Sequence, residues 1–332
     1  MVTVVVPVVL LSIIYKTGVV STWWLELSQY VPFPAFLLPA IVAFGLSFLL
    51  GRGWRLAATL GLVLVLTVLM GAVFGSADTG TGRVRMMTYN VKAYLAGEEL
   101  GAFAPLAWEV AAQDPDILVM QDAGALAKRR EEAPETVAAL FKGKQVYAAG
   151  QYIVVSRFPL RDCRPGQVPY RGIAHGYVRC VVTAHGVDVD LVTVHFKSPR
   201  EGLNATRAEY SGGIDEWQEN FDDRLTQATQ LAADISAHSR PMILAGDLNA
   251  PESSPVVRRL LDRGLRDAFS AAGWGYGYTH GHSLKLRFSF LRIDHILVSK
   301  DIGVVDSFAG DKEASQHRPV IADLLLLPDR AD

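Results

Sequence analysis

Six apolar runs in the last three-quarters of the chain end on, or are interrupted by, side chains that bind metals or transfer protons. Asn90 follows Met86-Met87-Thr88-Tyr89, and Gln121-Asp122 follows Ile117 to Met120. His195 closes Leu191 to Val194, while Asp247 and Asn249 follow Ile243-Leu244-Ala245-Gly246. Asp294 and His295 interrupt Leu291 to Val298, and Ser315-Gln316-His317 precedes Arg318-Pro319-Val320. Any one of these is an ordinary turn residue that bonds its own backbone. Six in one region, all acids, amides or imidazoles, point instead to a site where strand ends deliver polar groups to a rim.

The elements that must position them are legible as alternation and periodicity. Strand-like runs cover Val84 to Tyr89, Ile117 to Met120, Tyr152 to Ser156, Val178 to Thr183, Val187 to His195, Met242 to Ala245, Ile293 to Val298 and Val320 to Leu327. Helical patterns fall at Pro105 to Gln113, Ala133 to Phe141, Asp222 to His238 and Ser254 to Asp262. Ala184-His185-Gly186 is a hairpin signal between two of the strands. Hairpins mixed with βα units predict an α/β (α+β) sandwich of sheets rather than a purely parallel sheet.

The segments Met87 to Val91, Pro115 to Asp122, Ser156 to Leu160, Val194-His195, Gly246-Asp247-Leu248-Asn249-Ala250, Arg292 to Leu297 and Ser315-Gln316-His317-Arg318-Pro319 resemble the endonuclease/exonuclease/phosphatase superfamily. The resemblance covers residues 83–328 and implies a four-layered α/β sandwich with two mixed β-sheets and a phosphoester-hydrolysing site at one end. It also implies Mg2+ or Mn2+, because an anionic ester repels its nucleophile unless a hard cation offsets the charge. By the same resemblance Asp122 and Asn90 are metal ligands, Asp247 orients or deprotonates the attacking water, and Asn249 fixes water and phosphate. His195 and His317 then donate to phosphoryl oxygens, and Asp294 holds the His317 tautomer. His295 is expected on the opposite sheet face, in a structural role.

Two positions depart from the family pattern. Asp122 stands where Glu is usual, and Gln316 where a metal-binding Asp is usual. Gln316 keeps an oxygen ligand but removes a full charge, which weakens metal binding or narrows the site to one ion. An active enzyme is the first reading, and a metal-impaired binding protein the alternative. His280 and His282, in a glycine-rich loop, read as exposed or substrate-contacting rather than as a metal pair. The doublets Arg129-Arg130 and Arg258-Arg259 read as solvated helix faces.

Charge is distributed very unevenly over the 332 residues. Residues 1–82 hold only Lys16, Glu26, Arg52, Arg55 and Asp78. The remaining 250 residues carry 29 basic and 32 acidic groups. This pattern excludes a plain soluble enzyme and a disordered chain, and predicts an N-terminal transmembrane helical anchor over residues 1–75 with spans at 2–22, 32–51 and 56–75. A polar linker follows at 76–82, then the catalytic domain at 83–328. Arg52 and Arg55, between the last two spans, place that turn in the cytoplasm and the domain outside. Trp23, Trp24 and Tyr30 then fall at the outer interface. Cys163 and Cys180 lie in the domain and read equally as a disulfide or as two unpaired thiols.

The mildly acidic domain makes nucleic acid a less favoured partner. An anchored site meets lipid-borne phosphate at high effective concentration. The aromatic loop carrying Trp274, Tyr276 and Tyr278 is a candidate substrate-contacting rim. Three spans followed by an external domain of this superfamily resemble the VanJ-type membrane proteins of teicoplanin resistance. That layout implies a multi-pass protein of the bacterial cell membrane acting on a lipid-linked phosphate such as undecaprenyl pyrophosphate. The alternatives are an extracytoplasmic nuclease or phosphodiesterase and the non-catalytic binding protein.

Overall fold

The computed structural model describes residues 2–18, 22–96, 103–236 and 239–328. Its strands are β1 Val73–Phe74, β2 Gly80–Asn90, β3 Ile117–Gln121, β4 Gln145–Ala149, β5 Tyr152–Ser156, β6 Leu160–Gln167 and β7 Gly176–Ala184. They continue with β8 Val187–His195, β9 Met242–Asp247, β10 Leu265–Asp267, β11 Trp274–Gly275, β12 Asp294–Ser299, β13 Gly303–Ala309 and β14 Val320–Pro328. Two six-stranded sheets result, in the orders β13-β14-β2-β3-β5-β4 and β10-β12-β9-β8-β7-β6. Both are mixed: β2 and β3 run parallel, as do β8 and β9, and the other pairings are antiparallel.

Alternation along β2 shows how the layers form. Val84 and Met86 point into the core between the sheets, against Val178, Cys180 and Ile243, while Met87 and Tyr89 point outward. The outward set packs with Leu106, Ala107 and Val110 of helix Ala104–Gln113 and Leu126 of helix Gly124–Arg129. On the other sheet, Val192, Val194, Met242 and Leu244 pack under helices Ile214–Asp234 and Pro255–Leu261. Helix, sheet, sheet and helix make the expected four layers.

The core strands lie where alternation put them, with ends shifted by a few residues. His185 and Gly186 both have positive φ, as a two-residue turn between right-twisted strands requires. Three strands of five residues or more, β4, β6 and β13, carry no sequence signal, and each is a sheet edge. Edge strands face solvent, and β6, LRDCRPGQ, carries charge accordingly. Cys163 and Cys180 are disulfide-bonded across the β6–β7 pair. The expected helix at 133–141 shrinks to Glu135–Ala138. The one expected at 222–238 starts earlier, at Ile214, and runs to Asp234; 237–238 lie outside the described residues. Helix Arg200–Glu209 was not expected.

Among the described residues, the N-terminal part contains three apolar helices. Val2–Thr17 and Pro34–Ser47 are short, and a helix from Arg52 to Leu69, ending in a π turn, is long and apolar enough to cross a membrane. The last expected span therefore starts four residues early and stops at Leu69. Met70 is buried, and β1 leaves the helix to pair with β11. The first expected span stops at Thr17, with 19–21 outside the described residues. Trp23–Ser28 forms a separate short helix packed on Ile214–Asp234. Trp23 and Tyr30, expected at a lipid interface, instead pack around Trp217. Arg258 is not solvated either; it donates to the Tyr15 carbonyl and, at 3.4 Å, to that of Lys16, satisfying the open end of the first helix.

Candidate active site

Most of the sequence-derived polar site residues sit at or just beyond the ends of central strands. Asn90 ends β2 and Gln121 ends β3, with Asp122 just beyond. His195 and Asp247 are register partners at the ends of β8 and β9, and Asp247 faces Asp294 across the β9–β12 pair. Gly246 lets β8 and β9 approach: a Cβ there would meet the Val194 carbonyl oxygen at 1.9 Å. Lys92, Asp122 and Asn249, one residue or two past their strands, have φ of 46°, 52° and 49°. Left-handed backbone outside glycine costs energy and clusters at functional sites, where it aims a side chain that the strand would otherwise direct away.

Asp247 is the centre of the cluster and is fully buried. Its Oδ1 accepts from the Asn249 backbone N–H at 2.9 Å, and its Oδ2 from Asn90 Nδ2 at 2.8 Å. His195 Nε2 and His317 Nε2 stand 3.4 Å and 3.8 Å from that same Oδ2. His317 Nδ1 bonds Asp294 at 2.9 Å. Asp247, Asp294 and His317 each place a ligand-capable atom within 4.8 Å of the others. Asn249 donates its amide to the Phe196 carbonyl at 2.9 Å, which fixes its side chain.

The two histidines are tuned in opposite directions. Burial would lower the His317 imidazolium, but the Asp294 and Asp247 carboxylates overcome this and raise its pKa above 6.5. For His195 burial prevails over Asp247 and Asp122, and its pKa falls. His195 Nδ1 bonds Gln151 Oε1 at 2.7 Å, so the neutral ring carries its proton there. Its Nε2, buried without a hydrogen-bond partner, then presents a lone pair to the centre. Donation from that nitrogen to a phosphoryl oxygen requires a second proton on the ring.

Asp122 lies to one side of this centre, with Oδ1 3.5 Å from His195 Nδ1. Burial would raise its pKa, but His195 and Lys92 more than offset this and lower it. The Lys92 ammonium bonds Asp122 at 2.7 Å. Lys92 escaped the sequence reading because it follows a strand end by two residues, where a lysine is ordinarily solvated. Here its side chain is only 10% exposed.

Gln316 does not join Asn90 and Asp122. Its Oε1 accepts from Arg200 Nη2 at 3.3 Å, while its backbone carbonyl bonds His280 Nδ1 at 3.1 Å. A neutral amide gains little from facing carboxylates and finds a guanidinium instead. His280 and His282 are not exposed. The His280 ring lies 4.6 Å from that of His317, and burial drives its pKa to about 2. His282 bonds the Ser315 carbonyl at 3.0 Å, so both brace the 315–317 segment. His295 faces away from the site, bonded to Asp267 at 2.7 Å. The aromatic loop is no rim to this centre. Tyr276 and Tyr278 stack on each other, Tyr278 donates to the Met70 carbonyl at 2.7 Å, and Trp274, 77% exposed, packs against Phe74. All three occupy the junction with the apolar helices.

The donor set fits a hard divalent cation. Carboxylate oxygens of Asp247 and Asp294 converge with a His317 nitrogen within 4.8 Å, a set that suits such an ion, whereas Asn90 Oδ1 accepts from the Lys92 backbone N–H and the Asp122 carboxylate is paired with the Lys92 ammonium.

A four-layered sandwich with carboxylates, amides and imidazoles at one end of its central strands defines a class of phosphoester hydrolases. The Endonuclease/Exonuclease/phosphatase family model matches residues 87–317, and the chain belongs to that family. No curated protein matches the chain significantly. Solved structures with the same fold include a family protein from Bacteroides thetaiotaomicron, at 16% identity and TM-score 0.55, covering 73% of this chain and 97% of that one. A mannosyl-6-phosphatase of Bacteroides thetaiotaomicron is similar at 16% identity and TM-score 0.53, covering 73% and 99%. Truncated Caenorhabditis elegans TDP2 is similar at 17% identity and TM-score 0.52, covering 73% and 97%.

Proposed function

We propose that this chain is a membrane-anchored, metal-dependent phosphoester hydrolase whose substrate is a lipid-linked phosphate or pyrophosphate, such as undecaprenyl pyrophosphate, at the outer face of a bacterial cell membrane. The observation that carries the reading is where the apolar helices meet the domain. Contacts come from one end of the helices: Tyr15 and Lys16 on Arg258, Phe33 on Tyr278 and Phe288, and Met70 on Tyr278. Away from that end the helices expose apolar faces, with Leu38 61%, Val42 59% and Leu56 73% exposed, a surface suited to lipid. Arg52 and Arg55 sit in the first helical turn after Gly51 at the far end, where basic residues favour the cytoplasm. The Cys163–Cys180 bond suits an oxidising compartment on the domain side.

In this reading water oxygen bonds to phosphorus, the P–O bond to the leaving alcohol or phosphate breaks, and the water proton passes to Asp247, which Asn90 and the Asn249 N–H hold in place. His317, whose charged form Asp294 favours, stabilises the phosphoryl oxygens as charge builds, and Asn249 contributes beside it. Asn90 and Asp122 would hold Mg2+ or Mn2+, which would neutralise charge on the anionic ester. The deciding experiment measures phosphate release by the full-length protein in detergent from undecaprenyl pyrophosphate, mononucleotides and DNA, with and without Mg2+ or Mn2+. Metal-dependent release from the lipid supports the proposal. Efficient cleavage of DNA with none of the lipid replaces it with a nuclease, and calorimetry showing no Mn2+ binding replaces it with a non-catalytic binding protein. If the lipid reading holds, expression raises teicoplanin tolerance in a sensitive host.

A further inference from the structure

Beside His317 and Asn249 opens a cleft of about 250 Å3, and its two walls differ in chemistry. One wall is helix Arg200–Glu209, which presents Arg200 and Arg207. Neither arginine pairs with a carboxylate among the described residues, although most arginines of the domain do, including Arg83, Arg161, Arg171 and Arg292. Arg200 instead reaches the neutral Gln316 amide. The facing wall, with Leu203 from the helix, is apolar: Phe290, Leu291 and Ile293 belong to one hydrophobic cluster with Tyr30. That cluster continues through Phe288 to Phe33, one residue before the second apolar helix begins.

A single phosphoryl group bears at most two charges, and His195, His317, Asn249 and Lys92 already surround the place where it would react. Two more guanidiniums along the same cleft exceed its needs. They match a second anionic group, and guanidiniums bind phosphate through paired N–H donors. The apolar wall matches a hydrocarbon leaving the phosphate and running toward the helices.

We infer that this cleft is a substrate subsite for a diphosphate ester of a long apolar alcohol, with Arg200 and Arg207 on the phosphate that is not attacked and the hydrocarbon along Leu203, Phe290 and Leu291. The inference rests on the lipid-phosphate reading and assigns it a position and a preference. The terminal phosphoryl is transferred to water: a bond forms from water oxygen to the terminal phosphorus, the phosphoanhydride bond breaks, and inorganic phosphate and a lipid monophosphate leave.

The test uses full-length protein in detergent, with farnesyl diphosphate and farnesyl monophosphate as probes. Calorimetry in the presence of a chelator reads binding without turnover. Diphosphate should bind at least tenfold more tightly than monophosphate, and R200A/R207A should abolish that difference. L203E, on a partly exposed helix face, should weaken both probes. Equal binding of the two probes, or a preference that survives R200A/R207A, overturns the inference. With Mg2+ or Mn2+ added, the ratio of kcat/KM for diphosphate over monophosphate should fall in R200A/R207A by the same factor. An arginine-dependent binding preference without hydrolysis of any phosphoester would retain the subsite and sink the hydrolase. Hydrolysis of both probes at a ratio untouched by the arginines would do the reverse.

Discussion

The hydroxyl of Tyr30 donates a hydrogen bond of 2.6 Å to the backbone carbonyl of Asn249, 219 residues away. Arg224 Nη1 reaches the same carbonyl at 3.1 Å, the Tyr30 hydroxyl at 2.7 Å and Glu26 at 2.9 Å. A segment preceding the second apolar helix is thus part of the support under a site residue with left-handed backbone. Y30F keeps the ring against Trp217 and removes the hydroxyl. Because Arg224 still serves the carbonyl, stability should fall by only about 1 kcal/mol. Turnover should fall more, by roughly tenfold, since small displacements of a positioned group are costly to rate. Comparable kcat for Y30F and wild type would show that Asn249 needs no such support.

Glu26 and Arg224 form an ion pair with both side chains fully buried. Removing one partner leaves an uncompensated buried charge, at a cost of about 3–5 kcal/mol. E26A should therefore lower the urea midpoint sharply, whereas E26L/R224M should recover much of the loss. A double variant as unstable as E26A would mean the pair itself, rather than its imbalance, holds the segment on the domain.

The same pair shows where the sequence was legible and where it was not. Central strands were visible because both faces are buried, so each reads as a continuous apolar run whose polar end marked the site. β4, β6 and β13 were invisible because each has a free edge and a mixed composition. Glu26 counted only as one stray charge in an apolar stretch. Its partner lies 198 residues later, and no local pattern encodes that pairing. Tyr276 and Tyr278 were aromatic in a glycine-rich loop, and which surface they would cover depended on helices whose docking the sequence does not specify. Gln316 was placed by motif, but its side-chain direction follows from Arg200, on a helix that carried no sequence signal.

His317 provides the pH dependence. Burial opposes its charge, but Asp294 and Asp247 raise its pKa above 6.5, so the imidazolium persists to higher pH than in an ordinary histidine and is lost as pH rises through that raised value. Activity that needs the imidazolium should decline on the alkaline side there. D294N removes the nearest negative charge, lowers the His317 pKa and should move the alkaline limb to lower pH; a tenfold loss of proton affinity corresponds to about 1.4 kcal/mol of lost attraction between carboxylate and imidazolium. A limb that stays in place in D294N assigns it to another group.

Lys92 competes with any cation for Asp122. Its ammonium lies 2.7 Å from the Asp122 carboxylate, and burial, which would lower its pKa, is outweighed by Asp247 and Asp122. A divalent ion binding Asp122 must displace or adjoin this positive charge, and a doubly and a singly charged cation about 4 Å apart repel by roughly 8 kcal/mol at the effective dielectric of a protein surface. K92M keeps the length and apolar character of the side chain and removes the charge. Mn2+ affinity measured by calorimetry should then rise about tenfold, equivalent to about 1.4 kcal/mol. Turnover should nevertheless fall, because the same ammonium faces the site where the phosphoryl group reacts. Unchanged Mn2+ affinity in K92M would place the metal away from Asp122 and favour the Asp247, Asp294 and His317 cluster as its site.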